Sequence, residues 1–137
     1  MRVVVIDDTE DIRVLLRVAL SKGGMEVVAE AADGRDGIEV VRLERPDVVL
    51  LDLAMPVMDG RRALPMIRRL VPMARIIVLS GIGADLMSDQ VLGMRADGFV
   101  QKGHSLRRIV KYVEDAVRTP GPLTRPGPVL TLVPNPH

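Results

Sequence analysis

The chain has 137 residues, 47% hydrophobic and 27% charged, which suits one globular domain with a full core rather than a disordered segment. Its 19 basic residues against 18 acidic ones leave a net charge of +1, so bulk electrostatics give no reason to expect nucleic-acid binding. The absence of cysteine excludes disulfides and thiolate chemistry; the apolar stretches are too short for a membrane span and the start has no signal-peptide layout, so a cytoplasmic protein is expected.

The first apolar run, Val3-Val4-Val5-Ile6, reads as a buried strand and closes on Asp7-Asp8. A helix follows, with Thr9 at its N-cap, Glu10 and Asp11 in its first turn, and Ile12, Leu15, Leu16, Ala19 and Leu20 on one buried face. Gly23-Gly24 stops it. Glu26 to Ala31 reads as the second strand. Asp33-Gly34 then turns into a second helix carrying Ile38, Val41 and Leu43. Pro46 ends that connection, and the third strand runs to Asp52. The loop Ala54-Met55-Pro56-Val57-Met58-Asp59-Gly60 leads to a third helix with Leu64, Ile67 and Leu70 inward. Pro65 is harmless there in the first turn and kinks the helix if it lies deeper. Arg61, Arg62, Arg68 and Arg69 make this helix basic, and a solvated face is the expectation.

Pro72 marks the exit, and the fourth strand, Arg75-Ile76-Ile77-Val78-Leu79, closes on Ser80. Gly81-Ile82-Gly83 leads to a fourth helix over 84–95. The fifth strand, Gly98-Phe99-Val100-Gln101, is followed by Lys102. Ser105 can cap a fifth helix with Leu106, Ile109, Val110, Val113 and Val117 buried. Phe99 and Tyr112 are the only aromatics, so aliphatic residues and methionine fill the core. Tyr112 lies at the border of the apolar face, where partial exposure and a role at a partner surface are weak alternatives to burial. Six of the ten prolines fall between Pro120 and Pro136, so 119–137 reads as a tail after a domain over 1–118. Within it, Val129 to Val133 could form a short strand that adds to a sheet edge or packs on a partner.

Strands alternating with helices imply a parallel sheet covered by helices on both faces. Chemistry in such sheets sits at the carboxyl ends of the strands. Asp7, Asp8, Asp52, Ser80 and Lys102 all fall at those ends. Three close carboxylates repel one another and call for a divalent cation. A carboxylate, a hydroxyl, a lysine and a hard metal together suit phosphoryl transfer.

With these markers in order, plus Met55-Pro56, Asp59-Gly60 and Ala96-Asp97-Gly98, the chain resembles the receiver domain of two-component response regulators over roughly Met1 to Arg118. The resemblance implies a flavodoxin-like three-layer α/β fold with a five-stranded parallel sheet in the order 2-1-3-4-5. It implies that Asp52 is the phosphoacceptor, that Asp8, Asp52 and the Ala54 carbonyl bind Mg2+ directly, and that Asp7 holds it largely through water. Lys102 would pair with Asp52 and then with a phosphoryl oxygen, Ser80 would donate to another, and Ser80 with Phe99 would form the switch. Ala54 and Ile82 occupy the positions that govern the hydrolytic water. The donor would be a histidine kinase or phosphotransfer protein. The readout would be partner binding through the face of the fourth helix, fifth strand and fifth helix, a face through which a homodimer could also form. The protein is then a phosphoacceptor rather than an enzyme with its own substrate, without direct contact with nucleic acid or membrane.

The chain departs from the family where Gly103 replaces the usual proline after the lysine, where Arg95 replaces a glycine, and where Phe99 replaces tyrosine. Three competing readings are weighed. One is a receiver fragment of a longer DNA-binding regulator; the tail is too short for a helix-turn-helix, so a stand-alone receiver is expected. Another is an interaction module independent of phosphorylation. The third, an aspartate-nucleophile phosphatase, needs paired acids two residues apart, which adjacent Asp7-Asp8 do not provide.

Overall fold

Each apolar run pairs with its neighbours in one parallel sheet. The computed structural model describes residues 1–80, 96–101, 105–118 and 130–132. The strands are β1 (Arg2–Ile6), β2 (Glu26–Ala31), β3 (Val48–Asp52), β4 (Arg75–Ser80) and β5 (Gly98–Gln101), in the order β2-β1-β3-β4-β5. A sixth strand, β6 (Leu130–Leu132), extends the sheet beside β5, again parallel. The tail segment expected to seek an edge or a partner thus takes the sheet edge of its own chain. The helices are α1 (Glu10–Lys22), α2 (Gly34–Glu44), α3 (Gly60–Leu70) and α4 (Leu106–Arg118). The helix expected over 84–95 lies outside the described residues, so α4 is the fifth helix of the sequence reading. No helix among the described residues is long and apolar enough to cross a membrane.

Successive strand residues point to opposite faces, and the core divides accordingly. Val4, Ile6, Val49, Leu51, Ile76, Val78 and Phe99 pack with Val41 of α2 and Leu64 and Ile67 of α3. Val3, Val5, Val48, Leu50, Ile77, Leu79 and Val100 pack with Leu16 and Leu20 of α1 and Ile109 and Val113 of α4. The result is the three-layer sandwich.

Local signals start the helices. Asp33 accepts from the Asp36 N–H at 2.9 Å and Asp59 from the Arg62 N–H at 3.0 Å. Ser105 Oγ accepts from the Arg108 N–H at 3.3 Å, as expected of a cap. Thr9 holds the N-cap position of α1 without a side-chain cap bond. Pro65 sits beyond the first turn of α3 with its ring exposed, and the helix continues to Leu70.

Four expectations about burial are corrected. Leu15 is 48% exposed and Leu43 66% exposed, because each is rotated about 100° or more from its helix's buried stripe, at Leu16 and Val41. Met1, Met66 and Met73 are exposed rather than core filler.

Arg68 is buried, not solvated. Its Nη2 donates to Asp97 Oδ2 at 2.6 Å and its Nη1 to the Ala74 carbonyl at 2.7 Å. The same Asp97 oxygen accepts from the Ile76 N–H at 2.8 Å. This cluster fastens the end of α3 to the starts of β4 and β5.

Tyr112 is buried, not partly exposed, and its hydroxyl accepts from the Phe99 N–H at 3.1 Å. Burial pushes the phenol up to about 12, only partly opposed by that hydrogen bond.

Candidate functional site

The register of β1 against β3 builds the site. Val3 pairs with Val48 and Ile6 with Leu51, so the next residue along, Asp7, comes level with Asp52. Adjacent strands lie about 4.8 Å apart, which brings the two strand ends into direct proximity. Carboxylate oxygens of Asp7, Asp8 and Asp52 all lie within 4.8 Å of one another. Asp7 and Asp52 are buried, whereas Asp8 is exposed at the rim.

Two short turns aim the buried carboxylates. Asp7 Oδ1 accepts from the Thr9 N–H at 2.9 Å and Asp52 Oδ1 from the Ala54 N–H at 3.2 Å. These are side-chain-to-backbone turns that aspartate makes readily. The β1–α1 turn is further held by Arg13, whose Nη1 donates to the Asp7 carbonyl at 2.6 Å. Arg13 Nε lies 3.4 Å from Glu30 Oε1, and Glu30 Oε2 accepts from Arg17 Nη1 at 2.7 Å. Arg13 therefore clamps the acidic turn to β2. Sequence reasoning missed this residue; its only signal was an arginine one turn into the helix that follows Asp8.

The loop after Asp52 passes so close to the sheet that glycine is needed on both sides of it. A Cβ on Gly60 would come within 2.2 Å of the Asp52 carbonyl, and one on Gly34 within 2.4 Å of the Met58 carbonyl. The Asp59-Gly60 pair thus combines a helix cap with a residue able to lie against the backbone of Asp52.

Val57, at the exposed tip of this loop, has φ +66°. For a β-branched residue that is a strained conformation. Val57→Gly is expected to raise the urea midpoint by an amount equivalent to about 1 kcal/mol, the relieved strain outweighing the extra freedom of the unfolded chain. A lowered midpoint would count against the strain.

Ala54 is exposed at the mouth of the site. Ser80 ends β4, paired with Gln101 of β5. The Ser80 side chain, and Ile82 and Lys102 altogether, lie outside the described residues. Phe99 is fully buried and packs on the α2–α3 side of the sheet.

The donor set fits a hard divalent cation: three carboxylates and no nitrogen or sulfur ligand in the cluster. Two buried acids with a third at the rim leave an open side for water, which Mg2+ retains readily. Such a site can bind Mg2+ and present a carboxylate to an incoming phosphoryl group.

Comparison with known proteins agrees with this geometry. The model of the response regulator receiver domain family matches residues 3–114. The chain is 34% identical over 110 residues to the chemotaxis protein CheY of Thermotoga maritima, covering 80% of this chain and 92% of that one. It is 33% identical over 109 residues to the transcription regulator BvgA of Bordetella pertussis, covering 80% of this chain but only 52% of that protein. Among solved structures, the receiver domain of NarL from Mycobacterium tuberculosis superposes with a TM-score of 0.79 at 37% identity, covering 85% of this chain and 95% of that one. Magnesium binding and phosphorylation are characteristic of this family, whose members interact with histidine kinases or phosphotransfer proteins. The chain belongs to the response regulator receiver domains of two-component signalling.

Proposed function

We propose that this receiver is switched by transfer of a phosphoryl group to Asp52 from a histidine kinase or phosphotransfer protein. The observation that carries the reading is the trio Asp7, Asp8 and Asp52, gathered within 4.8 Å at the carboxyl end of the sheet. An Asp52 carboxylate oxygen attacks the donor's phosphorus, the bond from phosphorus to the donor histidine nitrogen breaks, and an acyl phosphate remains on Asp52. When bound, Mg2+ offsets negative charge on the transferring group. Asp8, Asp52 and the Ala54 carbonyl would hold it directly and Asp7 through water. Ser80 closes β4 and Lys102 follows β5 in the sequence, which supports their roles as phosphoryl-oxygen partners. The altered state is read on β5, α4 and the segment 84–95, and amide exchange on loading with beryllium fluoride and Mg2+ tests that: the largest change on α2 instead would reject it. The protein serves as a cytoplasmic phosphoacceptor. Intact-mass measurement with a small phosphodonor and Mg2+ tests the central claim.

Asp8→Ala is expected to weaken Mg2+ affinity at least about tenfold, because it removes one of few charged oxygen ligands. Mg2+ should raise the melting temperature of the parent, by binding the folded state alone, and raise it much less in the variant. Equal titration curves for the two proteins would place the metal elsewhere.

Dephosphorylation is expected to be slow for a receiver. In-line hydrolysis needs a water held in alignment, and neither Ala54 nor Ile82 has a side-chain donor or acceptor to hold one. Ala54→Asn and Ile82→Glu should each speed loss of phosphate, by roughly three- to tenfold. A time course in which both substitutions leave the rate unchanged or lower it would show that water is controlled elsewhere.

A second reading, a receiver unit working within a longer DNA-binding regulator, draws on the BvgA likeness. The length of the natural reading frame decides it.

A further inference from the structure

Three strands that carry site residues have a strand on both sides. β1, leading to Asp7, lies between β2 and β3; β3, ending in Asp52, between β1 and β4; β4, ending in Ser80, between β3 and β5. β5 leads directly into Lys102 and has a second neighbour only through β6. The pairing joins Gly98 to Leu130, Phe99 to Thr131 and Val100 to Leu132.

The two ends of β5 are held differently. At its start, Asp97 is tied to Arg68 at 2.6 Å, and the Phe99 N–H to Tyr112 at 3.1 Å. At its end the sequence runs on as Lys102-Gly103, and glycine adds no stiffness of its own. Pairing with β6 covers the stretch between, up to Val100. Prolines at 126, 128, 134 and 136 bracket β6, so this pairing cannot spread far along the tail. So short a strand binds weakly alone. Tethering through residues 119–129 supplies an effective concentration on the order of millimolar, which favours docking within the chain.

We propose that β6 is a positioning element for the phosphorylation site. By making β5 an interior strand, it fixes the direction in which the chain enters Lys102, and so pre-organises the partner of the phosphoryl group. The tail thereby becomes a control point, since anything that captures Leu130–Leu132 would loosen β5. This inference rests on the assignment of Asp52 as phosphoacceptor.

The test uses the full chain carrying Leu130→Pro and Thr131→Pro; successive N–H groups point to opposite sides of a strand, so one of the two removes a donor facing β5, and neither is a site residue. Amide exchange somewhere within Gly98–Val100 of β5 should rise at least tenfold. The rate of phosphorylation by a small phosphodonor should fall roughly three- to tenfold. Mg2+ affinity should stay unchanged, since the carboxylates sit at the ends of β1 and β3. A peptide spanning residues 126–137, added in trans at a concentration on the order of millimolar, should restore the rate. Unchanged exchange would show that β6 does not pair in solution and overturn the proposal. Faster exchange with an unchanged phosphorylation rate would leave a strand without a positioning role, and also overturn it. If the parent protein takes up no phosphoryl group, the Asp52 assignment fails and the positioning role with it, while the exchange data still report the pairing.

Discussion

Incubated with a small phosphodonor and Mg2+, the parent chain gains one phosphoryl mass and the Asp52→Asn variant gains none. Asparagine has nearly the shape of aspartate and keeps an oxygen for the Ala54 N–H, which Asp52 now binds at 3.2 Å. The turn at the end of β3 should therefore persist. What the substitution removes is the anionic oxygen that forms the new bond to phosphorus. A neutral amide is a far weaker nucleophile, and the loss in rate should be at least about a hundredfold. A second consequence separates this effect from misfolding. Asp52 is 2% exposed and faces two other carboxylates within 4.8 Å. Removing one like charge should raise the melting temperature in metal-free buffer and reduce the further rise on adding Mg2+. Undiminished phosphoryl uptake by a folded variant would falsify the assignment of Asp52.

Asp97→Ala should be strongly destabilising although it lies away from the site. It strips Arg68, 6% exposed, of the carboxylate held at 2.6 Å and leaves a buried guanidinium without that counter-charge. Breaking a buried ion pair from one side costs about 3–5 kcal/mol. That is a large share of the stability of a domain this size, and it should lower the melting temperature by roughly 10–20 °C. The substitution also removes the acceptor of the Ile76 N–H. Asp97→Asn keeps an acceptor in place and should lose less. Replacing both partners, with Arg68→Met and Asp97→Leu, should recover much of the loss, because the buried guanidinium is removed together with its carboxylate. If Asp97→Ala melts within a few degrees of the parent, the pair is not what joins α3 to β5.

The acidic site was legible in advance because it is a sum of local signals. Apolar runs of strand length end at Asp7-Asp8 and Asp52, and strand ends are where a parallel sheet places its chemistry. Residues that act through partners far along the chain were not legible. Arg68 shares a basic helix with Arg69, and composition alone made both look solvated. Its partner Asp97 stands 29 positions away, beyond any helical period. Tyr112 looked like a border residue until β5 presented the Phe99 N–H to its hydroxyl. Arg13 sits in an exposed-looking turn of α1, and its role appears only when the Asp7 carbonyl is brought beside it.

By itself, the sequence determined where the strands and their polar ends lie, because hydrophobic period and strand-end polarity are properties of neighbours along the chain; the five-strand order that gathers Asp7, Asp8 and Asp52 was implied by the family resemblance and is set by pairing between strands. Tertiary structure alone decided which of the arginines of α3 turns inward, whether Tyr112 is covered, and which of two destinations the tail strand takes. Those outcomes depend on pairing across long stretches of chain. A charge or a short strand goes where a distant partner satisfies it, and local period carries no record of that partner.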